Sequence, residues 1–230
     1  MSGGSLGEVV SDGSDAEQLS AITWDTTATC ERFTLAFTST EGAPATTAPG
    51  VSAEFIRSAA LLRVFLSVEI TAVTDQIVQS ALVDRLYVVR RADRTLFLDF
   101  HLLAPAVGAI GIEEGSGSVE IMLESGGDPY DASASFADNV VVVTPSPGSV
   151  TVPFLVNGYS RNFEANTIVR VTQDGSVVFE DFTTAADWVE TWGEFEIEVD
   201  PAGSGPAELF VGEQSAQDGS DRGLVLDIDF

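Results

Sequence analysis

Leu62-Arg-Val-Phe-Leu-Ser-Val-Glu-Ile70 sets an apolar residue at every second position, Leu62, Val64, Leu66, Val68 and Ile70, with Arg63, Ser67 and Glu69 between them. Successive side chains of an extended chain point to opposite faces, so this spacing is that of a strand with one face buried. Upstream, Cys30 to Phe37 repeats it, with Phe33, Leu35 and Phe37 set against Arg32, Thr34 and Ala36. Downstream, Arg85 to Arg90 and Thr95 to Leu102 carry β-branched and aromatic residues on either side of Arg91-Ala-Asp-Arg94, which predicts a hairpin. Ser118 to Leu123 and Asn139 to Val143 read as further strands, separated by a polar loop from Ser125 to Phe136.

Thr144-Pro-Ser-Pro-Gly148 stops any strand and reads as a short stiff link between domains. Beyond it, seven short strands are expected: Val150–Asn157, Arg161–Glu164, Thr167–Thr172, Ser176–Phe182, Gly193–Val199, Ala207–Gly212 and Gly223–Phe230. Asp174-Gly175 suits a tight hairpin turn, and Thr184-Ala-Ala-Asp-Trp-Val-Glu is the one stretch that reads as a helical turn, capped by its threonine. Seven strands divided by turns imply an immunoglobulin-like sandwich. The fold class is therefore all-β, with two β-sandwich domains in tandem: a flexible acidic leader over residues 1–20, then domains over 21–143 and 144–230.

The 230 residues include 36 Asp or Glu and 10 cations, every one an arginine, for a net charge of -26. Such a polyanion is repelled by phosphate backbones and anionic headgroups, which sets nucleic acid and membrane surfaces aside as partners. The acidity is not local, since residues 1–143 hold 20 acids and 7 arginines while 144–230 hold 16 and 3. Halophily or a GC-rich lineage would account for it without any ligand. With 44% hydrophobic residues and 14 phenylalanines the chain is too apolar for a disordered acidic tail. Cys30 alone forms no internal disulfide or cysteine-based zinc site, and His101 alone leaves a Ser-His-Asp triad dependent on one residue. No apolar run has the length of a membrane-spanning helix, and Met1-Ser-Gly-Gly-Ser-Leu lacks the basic and apolar regions of an export leader.

Residues 145–230 are similar to the immunoglobulin-like domain of bacterial spore-germination and related envelope proteins, which often accompanies a GerM-type domain. The resemblance rests on Pro145-x-Pro-Gly148, Val152-Pro-Phe-Leu-Val-Asn-Gly158, Asn162-Phe-Glu-Ala-Asn166, Trp192-Gly-Glu-Phe195 and Glu213-Gln-Ser-Ala-Gln-Asp-Gly-Ser220. The first half more loosely resembles the AMIN-like domain of actinobacterial envelope proteins, through Leu62-Arg-Val-Phe-Leu, Val83 to Arg90 and Leu96 to Leu102. Neither resemblance brings catalytic residues or a cofactor. Together they imply an extracytoplasmic role, with the leader absent from the chain as given.

Arg90, Arg91 and Arg94 place three of the ten cations within five residues at the predicted hairpin tip. Guanidinium forks there would hold carboxylates of peptidoglycan stems or acidic glycans, or else pair with this protein's own acidic surface. Trp188, Tyr159 and Trp192 could offer ring faces to a sugar, although Trp192, beside Gly193 at a strand entrance, reads as a core residue. Asp174, Asp218 and Asp221 offer oxygens on turns, but without calcium-loop spacing. His101 reads as hydrogen-bonded scaffold and Cys30 as a small buried hydrophobe. Carboxylate pairs such as Glu113-Glu114 or Glu194 with Glu196 arise from composition alone, and Glu194, Glu196 and Glu198 read as the wet face of a strand. The expected function is non-catalytic binding of peptidoglycan or another wall polysaccharide. The alternative is a surface assembly protein that contacts an envelope protein, or copies of itself, through strand edges.

Overall fold

Strands that bury one face must close against a second layer. In the computed structural model, which describes residues 5–9, 13–27, 29–112 and 115–230, this happens twice. The chain divides into two compact units, Met1–Ser133 and Ala134–Phe230, each built from two β-sheets.

In the first unit the strands are β1 (Ser5–Val9), β2 (Gln18–Thr26), β3 (Glu31–Thr38), β4 (Val51–Ile56), β5 (Leu61–Leu66), β6 (Ile70–Thr71), β7 (Asp75–Ile77), β8 (Val83–Arg90), β9 (Leu96–Leu102), β10 (Ala106–Ile112) and β11 (Val119–Ser125). One sheet runs β1-β4-β5-β9-β8 with β7 beside β8, and the other runs β10-β11-β3-β2-β6. The alternation read from the sequence fills the space between them. Phe33, Leu35 and Phe37 of β3 pack with Leu62, Val64 and Leu66 of β5 and Leu96, Leu98 and Phe100 of β9. Phe33 meets Phe100 edge to face, ring centres 5.0 Å apart. Each such ring contributes about 1.5–3 kcal/mol by leaving water.

The Leu62–Ile70 pattern spans two strands, not one. β5 ends at Leu66, the Ser67 N–H bonds the Gly50 carbonyl at 3.0 Å, and β6 joins the opposite sheet in parallel with β2. A period of two records which side chains are buried and is blind to a change of hydrogen-bonding partner. The leader expectation is also corrected. β1 pairs antiparallel with β4, and the Asp15 carboxylate accepts the Thr46 and Thr47 N–H groups at 3.0 and 2.8 Å. Such local caps carry no hydrophobic period, so the pattern missed them.

The second unit contains β12 (Ser135–Ala137), β13 (Val140–Thr144), β14 (Gly148–Ser149), β15 (Phe154–Ser160), β16 (Asn166–Gln173), β17 (Ser176–Thr184), β18 (Trp192–Val199), β19 (Pro206–Gln214) and β20 (Asp221–Asp229). One sheet runs β18-β15-β13-β12 and the other β14-β20-β19-β16-β17. Val140, Val142, Val156, Phe195 and Val199 from the first face Val169, Val171, Leu209, Val211, Leu226 and Ile228 from the second. The fold is all-β, two sandwiches in tandem.

Three expectations change here. The boundary lies before residue 134, because Val140–Thr144 pairs with β15 inside the second unit. Pro145 and Pro147 therefore bend the chain between two strands of one sandwich. Arg161–Glu164 is no strand, since Phe163–Ala165 forms a single 3-10 turn and Glu164 and Ala165 take φ of 55° and 60°. No helix follows Thr184, because the Asp187 carboxylate takes the N–H groups of Trp188, Val189 and Glu190 at 2.6, 2.9 and 3.2 Å and closes an Asx-type turn.

Candidate functional site

The β8–β9 hairpin forms as the sequence predicts, with Arg90 opposite Leu96. Its turn is closed by Arg91 N–H to Thr95 O and Arg94 N–H to Arg91 O, both 2.9 Å, with Arg94 in the left-handed region at φ 76°. The Asp93 carboxylate braces the turn, accepting the Thr95 hydroxyl at 2.6 Å and its N–H at 3.0 Å. These bonds, the hydroxyl's first, hold its carboxyl below the usual range.

The three arginines are brought to one place but take different roles. Arg90 is buried and its Nη1 donates to the carbonyls of Glu69 at 2.6 Å and Arg94 at 3.3 Å. It fastens the hairpin to the β5–β6 connection, which corrects its reading as a ligand-binding residue. Arg94 is exposed, with Nε 3.4 Å from the Glu69 carboxylate. Arg91 lies between these, its guanidinium 3.3 Å from Asp93 and 5.7 Å from the centre of the Phe65 ring. It lines a groove of about 420 Å³ together with Asp93, Thr95, Ser52, Phe65 and Ser67. Phe65 and Asp93 went unnoticed in the sequence reading, although Phe65 interrupts the polar positions of the Leu62 alternation on the outward side.

The aromatic residues of the second unit divide differently from the expectation. Tyr159 is fully buried and meets Trp192 edge to face, with centres 6.0 Å apart. It cannot offer a face to a sugar, which corrects its reading, whereas the core reading of Trp192 agrees with its burial. Trp188 is half-buried against Phe163, centres 5.4 Å apart, and the Phe163 ring is exposed. Phe163 falls in the expected Arg161–Glu164 strand, and no sequence signal singles it out.

The motif segments that carry the resemblance hold one another. The Phe163 N–H donates to Glu213 Oε2 at 2.6 Å. Asn162 Nδ2 donates to Thr167 Oγ1 at 3.1 Å, and Thr167 and Ser160 share a hydroxyl bond of 2.8 Å. All three residues are buried, while Asn162 Oδ1 has no hydrogen-bond partner among the described residues. Gly193 is required by close approach, since a Cβ there would stand 2.2 Å from the Asp187 nitrogen.

The calcium candidates are not brought together. Asp174 sits in the β16–β17 turn, while Asp218 lies in the β19–β20 connection and Asp221 opens β20, at the other end of the antiparallel β16–β19 pair. The Ser220 hydroxyl, with Ser215, holds the Asp218 carboxyl down to about 2. Asp221 receives Arg170 Nη1 at 2.6 Å. Among the described residues no three His, Cys, Asp or Glu side chains form a metal-sized group. Glu196 and Glu198 are exposed and Glu194 half-buried, Cys30 is half-buried, and Glu113 and Glu114 lie outside the described residues. His101 is buried beside Tyr87, ring centres 5.1 Å apart, and burial pushes its pKa down to about 3.

Residues 139–220 match the immunoglobulin-like domain of bacterial spore germination, a span that begins within the second unit and ahead of its paired prolines. No curated protein and no solved structure matches the chain. No helix among the described residues is long and apolar enough to cross a membrane.

Proposed function

We propose that the protein is a non-catalytic binding protein of the cell envelope whose first unit recognises peptidoglycan or another hydroxyl-rich wall polysaccharide. On this reading the first unit is an AMIN-like module and the immunoglobulin-like unit is a spacer or docking surface. The observation that supports it is the groove at the hairpin, where the Arg91 guanidinium, the carboxylates of Glu8 and Asp93, the hydroxyls of Ser14, Ser52, Ser67 and Thr95, and the Phe65 ring share a shallow surface. Guanidinium forks match carboxylates, hydroxyls and Asp93 suit sugar hydroxyls, and an aromatic ring suits a pyranose C–H face. The test is sedimentation of the intact chain with purified insoluble peptidoglycan, with and without soluble glycan fragments as competitor. Sedimentation that the fragments abolish supports the reading, and none at low or moderate salt ends it.

A second reading, surface assembly through strand edges, draws on β17. It ends its sheet and exposes Val177 and Phe182, the arrangement that invites strand addition. Light scattering that rises with protein concentration, without glycan binding, would favour it.

A further inference from the structure

The register of β2 on β3 sets Ile22 opposite Leu35, Trp24 opposite Phe33 and Thr26 opposite Glu31. Ile22, Leu35 and Phe33 are core residues, so the period of two carries Trp24, Thr26 and Glu31 along the same inner face to the end of the sandwich. A carboxylate thus sits where the pattern calls for an apolar side chain. Glu31 is 4% exposed. Its Oε2 accepts the Ser80 hydroxyl at 2.5 Å and its Oε1 the Leu82 N–H at 2.9 Å. Ser80 is itself fixed by its N–H to Val83 O and by Val83 N–H to its Oγ, each 3.0 Å.

Both of these donors are neutral. Among the described residues no cation pairs with Glu31; Arg32 stands opposite Asp25 across β2 and β3 and has its guanidinium 3.7 Å from Glu120. A buried ionised group ordinarily has an opposite charge beside it, and a carboxylate accepts more bonds than the two made here. The space in front of it is open. A cavity of about 470 Å³ is lined by Trp24, Asp25, Thr26, Glu31, Gln79 and Ser80, with further walls from the β7–β8 connection. Trp24 is 37% exposed and leans on Phe33 with ring centres 6.5 Å apart.

We infer that this cavity binds an organic ammonium group, with Glu31 as its charge partner and the Trp24 indole as its apolar wall. The Glu31 carboxylate repels an anionic ligand. Calcium needs six to eight oxygens, and the cavity presents an indole and no third acid. An alkylammonium satisfies both surfaces, giving charge-assisted bonds to the carboxylate and favourable contact with the ring. The inference does not rest on the glycan reading, because its residues and ligand charge are separate from those of the Arg91 groove.

The test is a titration of the full chain with n-butylammonium chloride at constant ionic strength, following the backbone amide signals of Gln79 and Leu82. Neutral n-butanol and calcium chloride are titrated in parallel. A saturable shift is expected with the ammonium alone, weakened about tenfold or more in Glu31→Gln and unchanged in Arg91→Ala. Trp24→Leu leaves the carboxylate clamp in place and is expected to weaken binding as well, which keeps the test decisive if Glu31→Gln does not fold. An equal response to butanol, a response to calcium alone, no saturable shift, or undiminished binding in Trp24→Leu would overturn the inference.

Discussion

Phe163 donates its backbone N–H to the carboxylate of Glu213, 50 positions along the chain, at 2.6 Å. This one bond joins the turn after β15 to the end of β19. It explains why both segments belong to the recognisable pattern without assigning either to a ligand. Glu213→Ala is expected to lower stability by about 1–2 kcal/mol, and Glu213→Gln, which keeps an acceptor, to restore part of it. Urea unfolding of the three proteins checks this, and equal midpoints would remove the bond from the account.

Gly193 faces the Asp187 backbone so closely that an added Cβ would lie 2.2 Å from N and 2.3 Å from O. Because the obstacle is backbone, Gly193→Ala must displace the Asp187 turn, at a cost of about 1–3 kcal/mol or more. A thermal melt of the variant that matches the parent would contradict the close approach.

Arg63 and Asp99 face each other across β5 and β9, joined by two bonds of 2.8 and 2.7 Å, with Asp99 fully buried. Removing one partner strands the other. Asp99→Ala is expected to cost about 3–5 kcal/mol, and little of the loss should depend on salt, since a buried pair is weakly screened. Denaturation at low and high ionic strength tests both parts.

His101 has a folded-state pKa of about 3, against 6.5 for the free side chain, because burial disfavours the imidazolium, with the Arg85 charge adding to it. The unfolded chain therefore binds a proton that the folded chain refuses. Stability should fall as pH drops from about 6.5 towards 3, by up to about 1.4 kcal/mol per unit. His101→Gln should lose that share of the slope, while the slope from the carboxylates remains. If the difference in unfolding free energy between parent and variant stays flat over this window, His101 titrates in the fold and the prediction fails.

Much of the fold was legible because burial and period coincide in strands such as β3 and β16. What escaped was set by hydrogen bonds that leave no hydrophobic period: Asp15 tying down the supposed leader, Asp187 replacing a helical turn, and the Phe163–Glu213 bond turning a supposed strand into a 3-10 turn. Prolines marked a strand end correctly at Thr144 but could not say which domain owned the strand. For the site, the cluster of arginines was visible while its division of labour was not. Arg90 and Arg91 are neighbours in sequence and point to opposite faces of an extended chain, so one is buried against carbonyls and the other borders a groove.

The most direct test of the account is the fraction of protein that sediments with insoluble peptidoglycan, compared for the parent, Arg91→Ala, Phe65→Ala and Arg94→Ala. Binding through the groove predicts that Arg91→Ala and Phe65→Ala each lose most of the sedimenting fraction and Arg94→Ala keeps it. Equal sedimentation of all four proteins, or none by the parent, would contradict wall recognition at this hairpin.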